Sequence, residues 1–487
     1  MKAVASRVRR RRMAPRMFVA SLCAALTGAL LAGPALPSAQ AVSTVTVVVQ
    51  TVPGSDQAVE EAIDRLGGHV DVALPIIDGF AASIPANHLD ALEATPGVTA
   101  VTPNREVTFS GQYGEGSGGA SAVYTDVLRA SKTWDSGHSG QGVGVAVIDT
   151  GINPVGDLAG KLVGGIDLTS EANNVDSFGH GTFVAGLIGG SGAASNGAVK
   201  GVAPNVKLIS VKIAGADGST DLVRLIAALD FVATTRDVFG TRVVNLSLSV
   251  APLAPYQNDP IDIAVERVWH SGVVVVTAAG NRGNTAGAVT SPGDDPFVIT
   301  TGSSDDRTTL SPGDDTLASF SSVGPTADGI AKPDIVAPGK SVVSLRAAGS
   351  TIDQANPGAR IGTEYFKGSG TSFSAALTSG SAALVLSRTP GLTPNQVKAR
   401  LTGNARGAGN IVPAAGRGAG ALDAYAATIS NDTTAANNGL TPGSLLGVSG
   451  NDVIPAGSSW GGSSWGGSSW GGSSWGGSSW GGSSWGG

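Results

Sequence analysis

The chain holds five histidines, and one of them sits in a setting suited to proton transfer. His180 lies in "DSFGHGTFVAGLIGG", bracketed by Gly179 and Gly181 and followed by a run of small and apolar residues that reads as a helix. Flanking glycines let the backbone approach other elements closely, which a plain surface histidine would not need. His69 and His88 fall in a separate N-terminal region, His138 in the polar loop "DSGHSGQG" and His270 at the end of an amphipathic helix, so His138 and His270 read as surface residues. A histidine base needs an acid that fixes its tautomer and stabilises its cation. Asp149 supplies one, because it closes the apolar run "VGVAVID" and is followed by Thr150-Gly151. A nucleophile needs an exposed oxygen near the base and donors for the oxyanion it creates. Ser372, in "GSGTSFSAALTSGSAALVLS", is expected to open a helix packed through Ala375, Ala376, Gly380, Ala382 and Ala383, which turns its amide and the positive helix end toward the reacting carbonyl. Asn281, in "VVVVTAAGNRGN", follows a long apolar strand and a glycine and offers its carboxamide as a second donor. Taken singly, Asp149 reads equally as an Asx turn that ends a strand.

The elements that must position these residues follow from the hydrophobic pattern. Between residues 124 and 428, the runs "VGVAVID", "LISVKIA", "RVVNLSLS", "VVVVTAA" and "FVITTGS" alternate with the helical patterns "STDLVRLIAALDFVATT", "PIDIAVERVWHSG" and "TPNQVKARLTGNA". Val- and Ile-rich runs separated by helices predict an α/β domain, a mostly parallel sheet with helices on both faces. Ligands of such sheets bind beyond the carboxyl ends of the strands, where Asp149 and Asn281 stand. Residues 42–110 read as a small α+β unit in the order βαββαβ, with "VTVVVQTV", "HVDVAL", "IIDGFAASI" and "VTAVTP" as strands and "SDQAVEEAIDRLGG" and "ANHLDALEATPG" as helices. This unit carries nine acidic and two basic residues, a net −7. Residues 111–123 form a polar, glycine-rich linker of the kind proteases cut, and a cut is expected between about Ser110 and Tyr124.

Charge and composition bound the partners. The formal net charge is −6, and residues 1–41 hold seven of the 31 basic residues and no acidic ones, leaving 24 basic against 37 acidic in the remainder, a net −13. No basic patch of the kind nucleic acid demands is present. The basic cluster precedes the apolar run "MFVASLCAALTGALLAG" and the small-residue stretch Ala39-Gln40-Ala41, which reads as a signal peptide over 1–41. The run is too short to span a bilayer, so the product is expected to be secreted, extracellular or cell-wall associated, and not membrane-spanning once the signal is removed. Cys23 is the single cysteine and falls inside that run, so disulfides contribute nothing to the mature chain. Residues 429–487 lose apolar content and end in "GSSWG" repeats with Trp460, Trp465, Trp470, Trp475, Trp480 and Trp485. Without aliphatic side chains they cannot build a core and are expected to be disordered, though regularly spaced indoles also suit contact with cell wall or polysaccharide.

Asp149, His180, Asn281 and Ser372, in that order and carried by "VAVIDTGI", "GHGTFVAG", "VVNLSLS", "AAGN", "SFSSVGP", "DIVAPG" and "GTSFSAA", closely resemble the subtilisin-like serine proteases, or subtilases (peptidase family S8), over about residues 124–425. The resemblance implies a serine endopeptidase in which Ser372 is the nucleophile, His180 the general base and then acid, Asp149 its orienting carboxylate and Asn281 the oxyanion donor. It further implies that Ser247, Leu248 and Ser249, with Ala278, Ala279 and Gly280, wall the pocket for the residue before the scissile bond. Residues 42–110 would then be the prosegment, an intramolecular inhibitor and folding assistant removed by self-processing. Protein or peptide substrates are implied, with no cofactor needed for the chemistry. Structural calcium occurs in the family, and Asp157 matches a position that can contribute a ligand. The sequence departs from the family at Ala376 and Leu377, where proline and often histidine follow the nucleophile, at Phe183 in place of a second histidine, and at Ser249 in place of a frequent glycine. A catalytically inactive protein of the same fold, attached to the cell surface by its tryptophan repeats, is the competing expectation; it requires a broken triad, and none of the four elements is broken.

Overall fold

The computed structural model describes residues 43–444 apart from 110, 115–121, 253, 312 and 409, together with the backbone of 446–449, 452–455, 469–470 and 473–474. The chain divides after Val42, and all the described helices and strands belong to the second unit, Ser43–Gly487. The expected signal peptide lies outside the described residues, as do part of the linker and most of the repeat tail.

The N-terminal unit has the order read from its pattern. Strand β1 (Thr44–Thr51), helix α1 (Asp56–Arg65), strands β2 (His69–Leu74) and β3 (Gly79–Pro85), the short helix α2 (Leu89–Glu93) and β4 (Val98–Pro103) follow one another. The strands form an antiparallel sheet in the order β2-β3-β1-β4. One face packs on the two helices through Val47, Val49, Val59, Ile63, Phe80, Ala82, Ile84 and Leu92. The other face, through Val48, Val72 and Ala81, joins the core of the large domain. Alternation along β1 divides it between two cores, as a period of two requires. Pro75–Ile77 turns in a 3₁₀ helix instead of extending β3, and Ile76 and Ile77 are wholly buried.

Beyond this unit run β5 (Glu106–Val107) and β6 (Gln112–Tyr113), then α3 (Tyr124–Val127), α4 (Ala130–Asp135), β7 (Gly144–Asp149), β8 (Leu162–Asp167), α5 (His180–Gly189), β9 (Lys207–Lys212), β10 (Thr220–Asp221), α6 (Leu222–Phe239), β11 (Thr241–Leu246), α7 (Pro260–His270) and β12 (Val274–Ala278). They are followed by β13 (Ile299–Asp305), β14 (Thr316–Leu317), β15 (Ile335–Pro338), β16 (Val342–Leu345), α8 (Thr351–Ala355), β17 (Arg360–Ile361), β18 (Tyr365–Ser369), α9 (Thr371–Arg388), α10 (Pro394–Gly403) and α11 (Ala424–Ile429). The central sheet runs β14-β13-β12-β11-β7-β9-β8, with β15 added beside β13, and every pairing in it is parallel except β13 with β14. Every residue of β7 and β12 is buried, which is why these strands read as unbroken apolar runs. Helices α5 and α9 pack on each other and cover one face; α6 and α7 pack on each other and cover the opposite face. Helix ends follow the local code: Asp259 caps α7 by accepting from the Ile261 N–H, and Thr393 with Gln396 closes a capping box at α10. His270 is not a surface residue, since it packs edge-on to Phe297 at 5.2 Å and burial pushes it down to about 4.

Candidate active site

Asp149 ends β7 with no exposed surface, and His180 opens α5 with 1%. Nδ1 of His180 donates to both carboxylate oxygens of Asp149, at 2.8 and 3.0 Å, and the Thr150 N–H donates to Oδ1 at 2.8 Å. A carboxylate only accepts, so Nδ1 carries the hydrogen and Nε2 keeps its lone pair. That Nε2 is buried and makes no hydrogen bond among the described residues. Gly181 permits the approach: a Cβ there would run into the Gly151 carbonyl and the Asp149 side chain. Phe109 and Phe373 flank the imidazole, with ring centroids 5.5 and 5.8 Å away.

One carboxylate that sequence reasoning passed over organises this junction. Asp176 accepts from the Gly179 N–H at 2.6 Å, the Thr182 N–H at 2.7 Å and the Thr150 hydroxyl at 2.7 Å, while the Thr150 oxygen accepts from the Gly181 N–H at 2.9 Å. It therefore satisfies first-turn amides of α5 and ties them to the residue after Asp149. Burial raises its pKa, and these hydrogen bonds pull in the other direction. An acid four residues ahead of a histidine that opens a helix was the available signal.

Ser372 is the second residue of α9 and is wholly buried. Its hydroxyl donates to the Ser247 carbonyl at 3.1 Å, and the Ser247 hydroxyl donates to the Ser372 carbonyl at 2.7 Å. Asn245 donates to Ser247 Oγ at 2.8 Å and accepts from Ser379 at 2.9 Å, so the end of β11 is bolted to α9. Oδ1 of Asn281 accepts from both the amide and the hydroxyl of Thr371 at 2.9 Å, which fixes the carboxamide beside the residue ahead of Ser372 and assigns its Nδ2 as the donor end. Gly280 N–H donates to Thr371 Oγ1 at 3.2 Å. Ala278 ends β12, and Ala279 donates to the Thr301 carbonyl at 3.0 Å.

The end of the expected prosegment and the start of the expected linker both run through this site. β5 pairs antiparallel with β10, and Thr108 exchanges two backbone hydrogen bonds with Ser249, at 3.0 and 2.9 Å. Further along the chain, Gln112 and Tyr113 pair antiparallel with Ser369 and Gly368 of β18, just ahead of Ser372. The chain thus pairs with segments on both sides of Ser372. Of the pocket residues, Ser249 meets this stretch directly and Ser247 meets Ser372; Leu248 lies buried between them.

No three His, Cys, Asp or Glu side chains among the described residues are placed to hold a metal ion. Asp157 is buried, and it accepts from the Ala194 N–H at 2.8 Å and the Tyr365 hydroxyl at 2.8 Å. Its neighbours are donors, an arrangement that suits the carboxylate itself and does not fit a cation. A different group of acids, Asp262, Glu266, Asp294 and Asp295, is buried around α7, each with one oxygen lacking a hydrogen bond. Burial raises all four, Glu266 to about 10 and Asp294 to about 7.

The comparisons with known proteins agree with this geometry. The Subtilase family matches residues 140–438, and a putative peptidase inhibitor domain matches residues 37–104. The serine protease AprX of Bacillus subtilis (strain 168) is 41% identical over 282 residues, a match covering 56% of this chain and 64% of AprX, a little under two thirds of its length. Subtilisin DY of Bacillus licheniformis is 33% identical over 288 residues, covering 58% of this chain and 91% of that protein. Among solved structures, fervidolysin from Fervidobacterium pennivorans, a keratinolytic enzyme related to subtilisin, superposes with a TM-score of 0.62 at 22% identity, over 81% of this chain and 62% of its own. The likeness to fervidolysin is one of fold. With 299 residues matched by one family and the inhibitor domain ahead of them, the chain belongs to the subtilase family of serine endopeptidases.

Proposed function

We propose that this chain is a secreted serine endopeptidase that hydrolyses peptide bonds in proteins and is made as a zymogen that processes itself. Its parts would be a signal peptide over 1–41, a prosegment over 42–110, a linker over 111–123 that carries the processing site, a catalytic domain over 124–428 and a repeat tail over 429–487. Ser372 Oγ attacks the scissile carbonyl carbon while His180 Nε2 takes its proton. Asp149 holds Nδ1–H and stabilises the imidazolium; the Asn281 carboxamide and the Ser372 amide bind the oxyanion. When the C–N bond breaks, His180 returns the proton to the leaving amine, and Ser372 is left as an ester. Water then attacks that ester by the same route, frees the acid and restores Ser372 Oγ–H.

The observation that carries this reading is the pairing of residues 106–108 and 112–113. They pair as short antiparallel segments along the walls on either side of Ser372, as an extended peptide substrate would. The Ser372 hydroxyl is hydrogen-bonded to Ser247, and the nucleophile–base hydrogen bond is not formed, an arrangement suited to a precursor. A serine-reactive phosphonate tests the reading. It should label the secreted protein on Ser372, abolish hydrolysis of casein and leave the Ser372→Ala variant unlabelled. A protein that takes up no label and leaves casein intact would be the inactive surface-attached form instead.

A further inference from the structure

Downstream of the nucleophile, the cleft holds an aromatic side chain of its own chain. Tyr113 lays its ring against Phe183, Phe366 and Phe373, with centroids 6.0, 5.7 and 6.0 Å away, and Phe183 and Phe373 meet each other at 4.4 Å. Edge-on contacts with Phe183 and Phe373 are the favoured geometry of aromatic pairs. The rings have room because two positions lack side chains. A Cβ on Gly368 would stand 2.8 Å from the Phe373 ring and 3.1 Å from that of Tyr113; one on Gly111 would stand 2.8 Å from the Tyr113 oxygen and 3.1 Å from Phe373. The Tyr113 side chain therefore folds back beneath the backbone at Gly111, two residues earlier. Its hydroxyl is buried without a hydrogen-bond partner, and burial, aided by Asp149 and Asp176, raises its pKa so that it stays neutral. The pocket binds the ring and makes no use of the oxygen.

Chain direction assigns the pocket to one side of the reaction. Thr108 pairs with Ser249 before the nucleophile, and Gln112 and Tyr113 pair with β18 beyond it, so Tyr113 travels with the released amine. Resting on the endopeptidase reading above, we propose that Phe183, Phe366 and Phe373 form a leaving-group-side subsite that selects substrates carrying the pattern Gly-Xaa-aromatic. Phe183, which replaces the histidine usual in related motifs, gives this enzyme one wall of that subsite.

The probe is a quenched fluorescent peptide spanning residues 104–116 of the chain, supplied to the enzyme purified after expression of the full chain and self-processing, with versions carrying Tyr113→Phe, Tyr113→Ala and Gly111→Ala. The Phe peptide should be cleaved at least as well as the parent, because the hydroxyl contributes no hydrogen bond. The two alanine peptides should lose kcat/KM by about tenfold or more, the value of burying one aromatic ring. In the Phe366→Ala enzyme the parent and Tyr113→Ala peptides should approach equal rates, and the more conservative Phe366→Leu enzyme should show a partial loss of discrimination if alanine does not fold. Equal cleavage of the parent and alanine peptides by the unmutated enzyme would overturn the subsite while leaving the endopeptidase reading intact. So would an enzyme that digests casein and ignores every peptide. Failure on both casein and peptides would overturn the endopeptidase reading itself.

Discussion

Catalysis at the residue scale turns on which groups are satisfied before substrate arrives. Hydrogen bonds to Asp149 and from Thr371 fix His180 and Asn281, which in the proposed mechanism act through Nε2 and Nδ2. An oriented donor acts on the oxyanion more than on the ground-state carbonyl, so its removal lowers kcat and leaves KM nearly unchanged. Asn281→Ala should therefore reduce kcat by about a hundred- to a thousandfold with little change in KM, the size known for the same substitution type in subtilisin itself. Steady-state kinetics on casein-derived peptides would check it, and a matching rise in KM would instead mark Asn281 as a ground-state binding residue.

At the scale of elements, helix α7 shows where pattern and structure part. Asp262 and Glu266 lie one turn apart on a helix that reads as amphipathic, yet both are wholly buried beside Asp294 and Asp295. A carboxyl whose pKa is raised on folding contributes stability that is present below its unfolded value and lost as pH rises through its folded value. For Asp294 that window runs from about 4 to about 7, and for Glu266 it extends to about 10. Thermal unfolding of the Ser372→Ala protein should therefore show a Tm that falls between pH 5 and pH 9, and Glu266→Gln should flatten the fall; an unchanged slope would remove Glu266 as its cause. The same contrast defines what could be read from sequence. β7, β9, β11 and β12 were legible because burial on both faces favours runs of Val, Ile and Leu, and Asp149 and Asn281 were legible because they close or follow such runs. The family resemblance then supplied the site. The Gln112–Tyr113 strand was not legible, because its polar, glycine-rich sequence has no strand signal and its partner lies about 250 residues away. Asp176 was missed because its role depends on backbone amides that pattern does not show.

At the scale of the whole molecule, charged clasps join the N-terminal unit to helix α7 and its cap. Arg267, 2% exposed, donates to the Ile76 carbonyl at 2.8 Å, to the Pro75 carbonyl at 3.2 Å and to the Asp78 carboxylate. Arg105 grips both oxygens of Asp259 at 2.9 and 2.7 Å. Hydrogen bonds to a buried charge are among the stronger kind. Arg267→Ala should weaken inhibition of the processed enzyme by added prosegment by about ten- to a hundredfold, read as Ki. An inhibition constant unmoved by Arg267→Ala would place the docking energy elsewhere. The central claim is that Ser372 attacks the chain's own strand where it crosses the cleft, and its most direct test is N-terminal sequencing of the secreted protein expressed from residues 42–487, with and without Ser372→Ala. The expected result is a new N-terminus created by a cut between Ser110 and Gln112 in the unmutated protein and a full-length chain in the variant; the same cut in Ser372→Ala, made under conditions free of other proteases, would contradict it.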